Sequence, residues 1–215
     1  MKNIYLLVLF CTPFLSCAEL KLNVERTSYE FDANSIEQMV QSVREFGPKA
    51  NYSKAWALLE TEVITKFSVI TTEKGCQFYA PEVDVDALIT LPHWRNIDEL
   101  DPETQLWWES YSDYLLAHEN EHLEIAITHS KELLNKLNSQ HDGLACKQLR
   151  ERFLAYKGSM MSQTRIADST LDYVTAEQAL KQQSLFLPLS PFLGKKIEIE
   201  RITRKKSNLI PESVR

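Results

Sequence analysis

No stretch of this 215-residue chain is long and apolar enough to span a bilayer. The one early apolar run, Ile4 to Phe10, is far shorter than a membrane helix needs. Basic charge is also scarce. With 24 Lys and Arg against 30 Asp and Glu, the formal net charge is −6, which argues against a phosphate backbone as partner. The chain has no internal repeat and no low-complexity segment. Histidines number 5 and cysteines 4, so any motif built on either type draws on a small pool.

The first eighteen residues read as a secretory signal: Lys2 gives the positive start, Ile4 to Phe10 the apolar part, and Ser16-Cys17-Ala18 a small-residue cleavage site. An alternative reading takes Leu15-Ser16-Cys17 as a lipoprotein site, with the protein lipid-anchored through Cys17. Both readings place the protein outside the cytoplasm, periplasmic or secreted. Loss of Lys2 with the leader takes the net charge from −6 to −7. Cys11 and Cys17 fall in the leader, which leaves Cys76 and Cys146. An even pair in an oxidising compartment is expected to form a disulfide. Neither cysteine has a neighbour at zinc-ligand spacing.

Residues 19–184 are the right length for one domain with one core. Leu22 to Phe31 alternates loosely and predicts a strand. Asn34 with Glu37 predicts a capping box for a short helix through Arg44, stopped by Gly47-Pro48. Ala55 to Thr72, the turn Glu73-Lys74-Gly75, and Cys76 to Leu91, alternating through Val83, Val85 and Leu88, predict a β-hairpin. Then the period becomes helical. Asp101 is a good N-cap and Pro102 a good first residue for a helix whose stripe runs through Trp107, Tyr111, Leu115, His118, His122, Ile125 and His129. A second helix begins near Leu144, with a break expected at Gly158-Ser159. Pro188 and Pro191 end the compact part, and residues 185–215 read as a C-terminal tail. The predicted fold class is α+β: N-terminal antiparallel strands with a short helix, packed on two long C-terminal helices.

The first of those helices carries His118-Glu119-Asn120-Glu121-His122. Residues four apart share a helix face, so both imidazoles can reach one ion. A glutamate between them can take a proton from a metal-bound water, as in H-E-x-x-H zinc hydrolases. The pentapeptide also satisfies the inverted H-x-x-E-H pattern through Glu121. Each glutamate lies about 80° from the bisector of the histidines, on opposite sides, so helix geometry does not choose between them. The competing reading is a solvated helix face. A catalytic zinc usually takes three protein ligands and one water. His129 is eleven residues beyond His118, about 16 Å along the axis, and cannot serve the same ion. His93 and His141 are lone histidines better read as surface residues. Trp94, Trp107, Trp108 and Tyr111 are more readily core groups than a cleft lining.

The segment from Trp107-Trp108 to His122, the Cys76 and Cys146 pair, Leu91-Pro92-His93-Trp94, and Asp172-Tyr173-Val174-Thr175-Ala176-Glu177 together resemble a bacterial family of unknown function. Its members are described as secreted zinc-dependent proteases, and the resemblance covers roughly residues 22–180. The family's downstream pattern reads Tyr-Asp-x-x-Thr-x-His-Gly. Here Leu171 stands in the tyrosine position, Asp172 and Thr175 match, and Glu177-Gln178 replace His-Gly. If the family's histidine is the third ligand, the resemblance implies Glu177 in that role, and two histidines with a glutamate are an established zinc set. The family has its glutamate directly after the first histidine, which implies Glu119 as general base. A simple helical hairpin about Asp142 would put Asn120 opposite Thr164, with Glu177 about 20 Å further along a straight helix. The chain is therefore expected to bend back after Gly158, or another acid such as Asp168 is the ligand.

The resulting expectation is a secreted zinc-dependent metallohydrolase, a peptidase acting on a peptide or protein. His118, His122 and Glu177 would hold Zn2+, and Glu119 would be the base. The alternative is a non-catalytic envelope protein with a structural or degenerate metal site.

Overall fold

A computed structural model describes residues 18–50, 53–139, 143–181 and 187–189; for Ser53, residues 176–181 and Leu187 it describes the backbone alone. The architecture is α+β. Strand β1 (Glu19–Phe31) leads into helix α1 (Ile36–Phe46), followed by two short strands, β2 (Lys49–Ala50) and β3 (Ser53–Lys54), paired antiparallel. The long strands β4 (Leu58–Thr72) and β5 (Gly75–Trp94) precede α2 (Pro102–Asn138) and α3 (Cys146–Lys181). The main sheet has the order β1-β5-β4. The hairpin β4-β5 is antiparallel by its two-residue turn. On the other edge of β5 the partners ascend together, Lys21 with Glu82 and Asp32 with Arg95, so β1 runs parallel to it and α1 lies in the crossover. Among the described residues no helix is long and apolar enough to cross a membrane.

The N-cap of α1 is one residue later than the spacing suggested. Ser35 is extended (φ −161°, ψ 162°) and its hydroxyl accepts from the Gln38 amide, while the Gln38 side chain accepts from the Asn34 N–H at 2.8 Å. Ser35 is thus the cap in place of Asn34, and the residue reaching back is Gln38, to the Asn34 N–H, in place of Glu37. In β5 the buried positions are first even (Cys76, Phe78), then odd (Pro81, Val83, Val85, Ala87, Ile89), then even again (Pro92, Trp94). One extra residue turns a strand's whole pattern to the other face. The first slip falls at Ala80, whose φ of +47° is left-handed. Leu88, named in the expected alternation with Val83 and Val85, is half-buried on the other side of the strand from both.

The described residues fall into two compact units. One comprises those of Met1–Glu25, Glu60–Ala87 and Leu123–Arg165. Its core gathers Phe78, Val83 and Val85 from β5, Leu133, Leu134 and Leu137 from α2, and Leu149 and Met160 from α3. Phe67, Phe78 and Phe153 meet edge to face, with Phe67–Phe78 centroids 4.9 Å apart. Cys76 and Cys146 form the expected disulfide. Beside it the Cys76 amide donates to Leu144 O at 2.9 Å, and Gly75 adopts φ +112° where a Cβ would meet Leu144 O at 2.8 Å. The start of α3 is thus tied to the β4-β5 turn, and helix–helix register does not follow a flush hairpin. Thr164 faces His129 (Nδ1···Oγ1 3.0 Å), where a hairpin about Asp142 would have put it opposite Asn120.

The other unit comprises the described residues of Arg26–Leu59, Leu88–His122 and Ile166–Arg215. Its core packs Phe31, Met39, Val40, Val43 and Ala57 around Trp94, Trp108, Tyr111 and Leu115. Trp94 donates its indole N–H to Ala33 O and Asn96 Oδ1, and its ring meets Trp108 edge to face at 5.4 Å. These aromatics are core groups, as expected. Leu189 lies in the region expected as a tail, yet it is buried in this core within a 3-10 turn, Leu187–Leu189. Asp101 caps α2 as expected, its carboxylate accepting from the Thr104 amide at 2.9 Å.

Helix α3 passes through Gly158 without the expected break, and a Cβ there would meet nothing within 4 Å. Gly158→Ala is therefore expected to raise stability by about 0.5–1 kcal/mol by lowering the entropy of the unfolded chain. Cys76→Ser with Cys146→Ser opens a loop of sequence separation 70 and should cost about 4 kcal/mol on the chain-entropy account. Denaturant titration of the oxidised chain checks both. A lower midpoint for Gly158→Ala would mean that α3 needs its glycine.

Candidate metal centre

Two single helical turns build the site, and both lie in the second unit. On α2, His118 and His122 are four residues apart; on α3, so are Asp168 and Asp172. The two pairs face each other. His118 Nε2 lies 3.2 Å from His122 Nε2 and 3.2 Å from Asp172 Oδ1, and His122 Nε2 lies 3.1 Å from that same oxygen. Three donor atoms thus form a nearly equilateral triangle. The imidazole planes stand 82° apart, so their lone pairs converge on one region without stacking. Both rings are largely buried, at 16% and 12% side-chain exposure, while Asp172 is 64% exposed and leaves that side of the triangle open to solvent.

This arrangement fits a metal ion. Ligand distances of about 2.0–2.2 Å in tetrahedral geometry place donor atoms about 3.3–3.6 Å apart, a few tenths of an ångström more than those observed. Protons satisfy the triangle less well. A neutral imidazole has one N–H and one lone pair, and a carboxylate only accepts, so protons cannot satisfy all three short contacts at once. The Nδ1 of His118 is also buried without a hydrogen-bond partner among the described residues. His118, His122 and Asp172 are therefore a group able to hold a metal ion, with each donor atom within 4.8 Å of the others.

The electrostatics follow from these contacts. Burial alone would lower the His122 pKa, but its ring bonds to Asp168 (Nδ1···Oδ1 2.9 Å) and to Asp172 outweigh burial and push it up to about 10. For Asp172 burial acts upward, and the two histidine contacts reverse it, holding the carboxyl well below the usual carboxylate range. Glu119 is only 6% exposed and lies on the most buried line of α2, with Trp108, Tyr111 and Leu115. Burial raises its pKa, opposed by the neighbouring His118 and His122 charges and by a bond from the Leu59 backbone. The buried line keeps Tyr111 and Leu115 of the expected stripe, but Trp108 takes the inner place expected for Trp107, Glu119 that of His118, and the histidines sit on its shoulder. Glu121 faces solvent.

Of the residues singled out from sequence, His118 and His122 meet as expected and Glu119 stands between them. Glu177 is in α3, five residues beyond Asp172, and its side chain lies outside the described residues, as does His141. The acid found at the histidines is Asp172, which the resemblance had matched without giving it a role. Asp168 reaches the far nitrogen of His122 and is not one of the three clustered donors. His129 bonds Thr164, and His93 is exposed on β5. A signal for Asp172 was present: two acids at the same four-residue spacing as the two histidines.

Fold and site together define an α+β protein with a two-histidine, one-carboxylate centre between two long helices. The chain belongs to a family described as bacterial protein of unknown function (DUF922), whose profile matches residues 26–178 and so spans every residue of the centre. No curated protein and no solved structure matches it.

The shifted groups set a pH dependence for the metal-free chain. The raised His122 pKa adds stability that is complete below 6.5, its ordinary value, and is lost as the pH rises to about 10. The lowered Asp172 pKa adds stability present above 3.8 and lost as the pH falls below it. Melting in EDTA should therefore be highest between these two pH values, and His122→Ala should flatten the alkaline slope. A wild-type melting temperature unchanged from pH 6.5 to 10 would contradict the ion-pair geometry.

Proposed function

We propose that this protein is a zinc-dependent metallohydrolase of the bacterial envelope or exterior, cleaving peptide bonds, with His118, His122 and Asp172 as metal ligands and Glu119 as general base. The observation that carries the reading is the triangle of donor atoms at 3.1–3.2 Å with a buried glutamate directly following the first histidine. Two imidazoles and a carboxylate suit zinc, and three protein ligands leave a position open for water or substrate, the mark of a catalytic site. Solvent reaches the triangle at Asp172, where substrate would enter. The Cys76–Cys146 disulfide supports an oxidising compartment, in line with the leader read at residues 1–18.

A bound zinc ion would supply Lewis acidity, bringing a water into the nucleophilic range near neutral pH and polarising a carbonyl. The remaining chemistry belongs to the chain. Glu119 accepts the proton of the attacking water and passes it to the leaving amine. Its burial lifts its pKa from the ordinary carboxylate range toward the range in which one group does both. The flanking histidines and the Leu59 N–H oppose that lift, and so favour the ionised form a base requires. Glu121 is exposed to solvent and lacks this environment.

Metal content and peptide hydrolysis test the proposal together. Wild type purified without chelator should carry about one zinc per chain, and His118→Ala and Asp172→Asn should carry little. Against a mixture of fluorogenic peptides, Glu119→Gln should lose about 10²–10⁴-fold in kcat while keeping zinc, and Glu121→Gln should stay within a few-fold of wild type. Stoichiometric zinc with no hydrolysis would favour a structural site in a non-catalytic protein. Retained activity in Glu119→Gln would overturn the choice of base.

A further inference from the structure

His122 differs from His118 at the nitrogen that faces away from the triangle. Its Nδ1 lies 2.9 Å from Asp168 Oδ1, whereas the Nδ1 of His118 is buried with no hydrogen-bond partner among the described residues. A carboxylate only accepts, so the hydrogen bond requires the proton on Nδ1. In the neutral ring the lone pair then falls on Nε2, the atom that lies 3.2 Å from His118 Nε2 and 3.1 Å from Asp172 Oδ1. Asp168 sits at the opposite edge of the ring from the other donors, which excludes it as a ligand to the same ion.

We infer that Asp168 is a positioning residue: it fixes the tautomer and the ring orientation of His122 and so sets the affinity of the centre for a divalent cation. The inference rests on the reading that His118, His122 and Asp172 hold a metal. Its physical basis is that a ring free to rotate or to move its proton must be ordered when the metal binds, whereas an anchored ring is already in place; the carboxylate also makes the imidazole a stronger donor. Asp168 and Asp172 are four residues apart on α3, so one helical turn supplies both a ligand and the anchor of a second ligand. The support is asymmetric, with His122 the anchored histidine and His118 held by its packing. Asp168 is itself 36% exposed, so replacing it does not open the core.

The test is titration of Zn2+ alone, against a competing chelator, into the metal-free full chain. Asp168→Ala should weaken zinc binding by about 10–100-fold. Asp168→Asn should weaken it less, because the amide oxygen still accepts from Nδ1–H; this partial rescue would not arise if Asp168 merely contributed to folding. Imidazole 15N spectra of the zinc-saturated protein should show a slowly exchanging Nδ1 proton on His122 in wild type, and its loss of protection in Asp168→Ala with zinc still bound. Equal zinc affinity in wild type and Asp168→Ala would overturn the role of Asp168 while leaving the metal centre intact. Failure of wild type itself to bind zinc would overturn the metal reading, and this inference with it.

Discussion

Two imidazole nitrogens and a carboxylate oxygen held 3.1–3.2 Å from one another are the constraint around which this site is organised. Atoms that only accept, or that share too few protons, do not rest at such separations without something positive between them. In the metal-free chain a proton on His122 and the charge of Asp172 meet part of that demand, and the opposed pKa shifts of the two groups follow directly. A divalent cation meets all of it.

The fold supplies the constraint through regular helices. In the unit that holds the site, α2 buries Trp108, Tyr111 and Leu115 against Phe31, Trp94 and the α1 residues Met39, Val40 and Val43. That packing fixes the rotation of the helix and brings Glu119 onto the buried line while the histidines stay on its shoulder. A glutamate so placed would be a liability in a purely structural helix, because burying a carboxylate is costly unless its surroundings compensate. Here the histidines and the Leu59 N–H compensate in part, and burial still leaves the Glu119 pKa raised.

Much of this was legible in the sequence, and the parts that were not have physical reasons. The helix start at Asp101-Pro102, the β4-β5 turn at Gly75 and the Cys76–Cys146 bridge each rest on local chemistry with few alternatives. Ser35 and Asn34 are both good caps, and only the backbone conformation separates them. The alternation of β5 changes face at Ala80, a left-handed residue, and nothing in an alanine signals such a slip. Gly158 looked like a break because glycine weakens helices, yet α3 has neighbours enough to carry it. Glu177, to which the family pattern drew attention, has its side chain outside the described residues; for the acid beside the histidines, the cue was the four-residue spacing of Asp168 and Asp172. Seeing which of those two acids meets Nε2 and which meets Nδ1 required the relative register of two helices, which no local pattern encodes.

The central claim is that His118, His122 and Asp172 share one ion, and X-ray absorption at the zinc edge tests it most directly. Protein loaded with one equivalent of zinc should show a shell of nitrogen and oxygen donors at about 2.0–2.2 Å, with the outer-shell scattering of two imidazoles. His122→Ala should remove one of the two imidazole contributions. A first shell without imidazole scattering, or one unchanged by that substitution, would contradict the account.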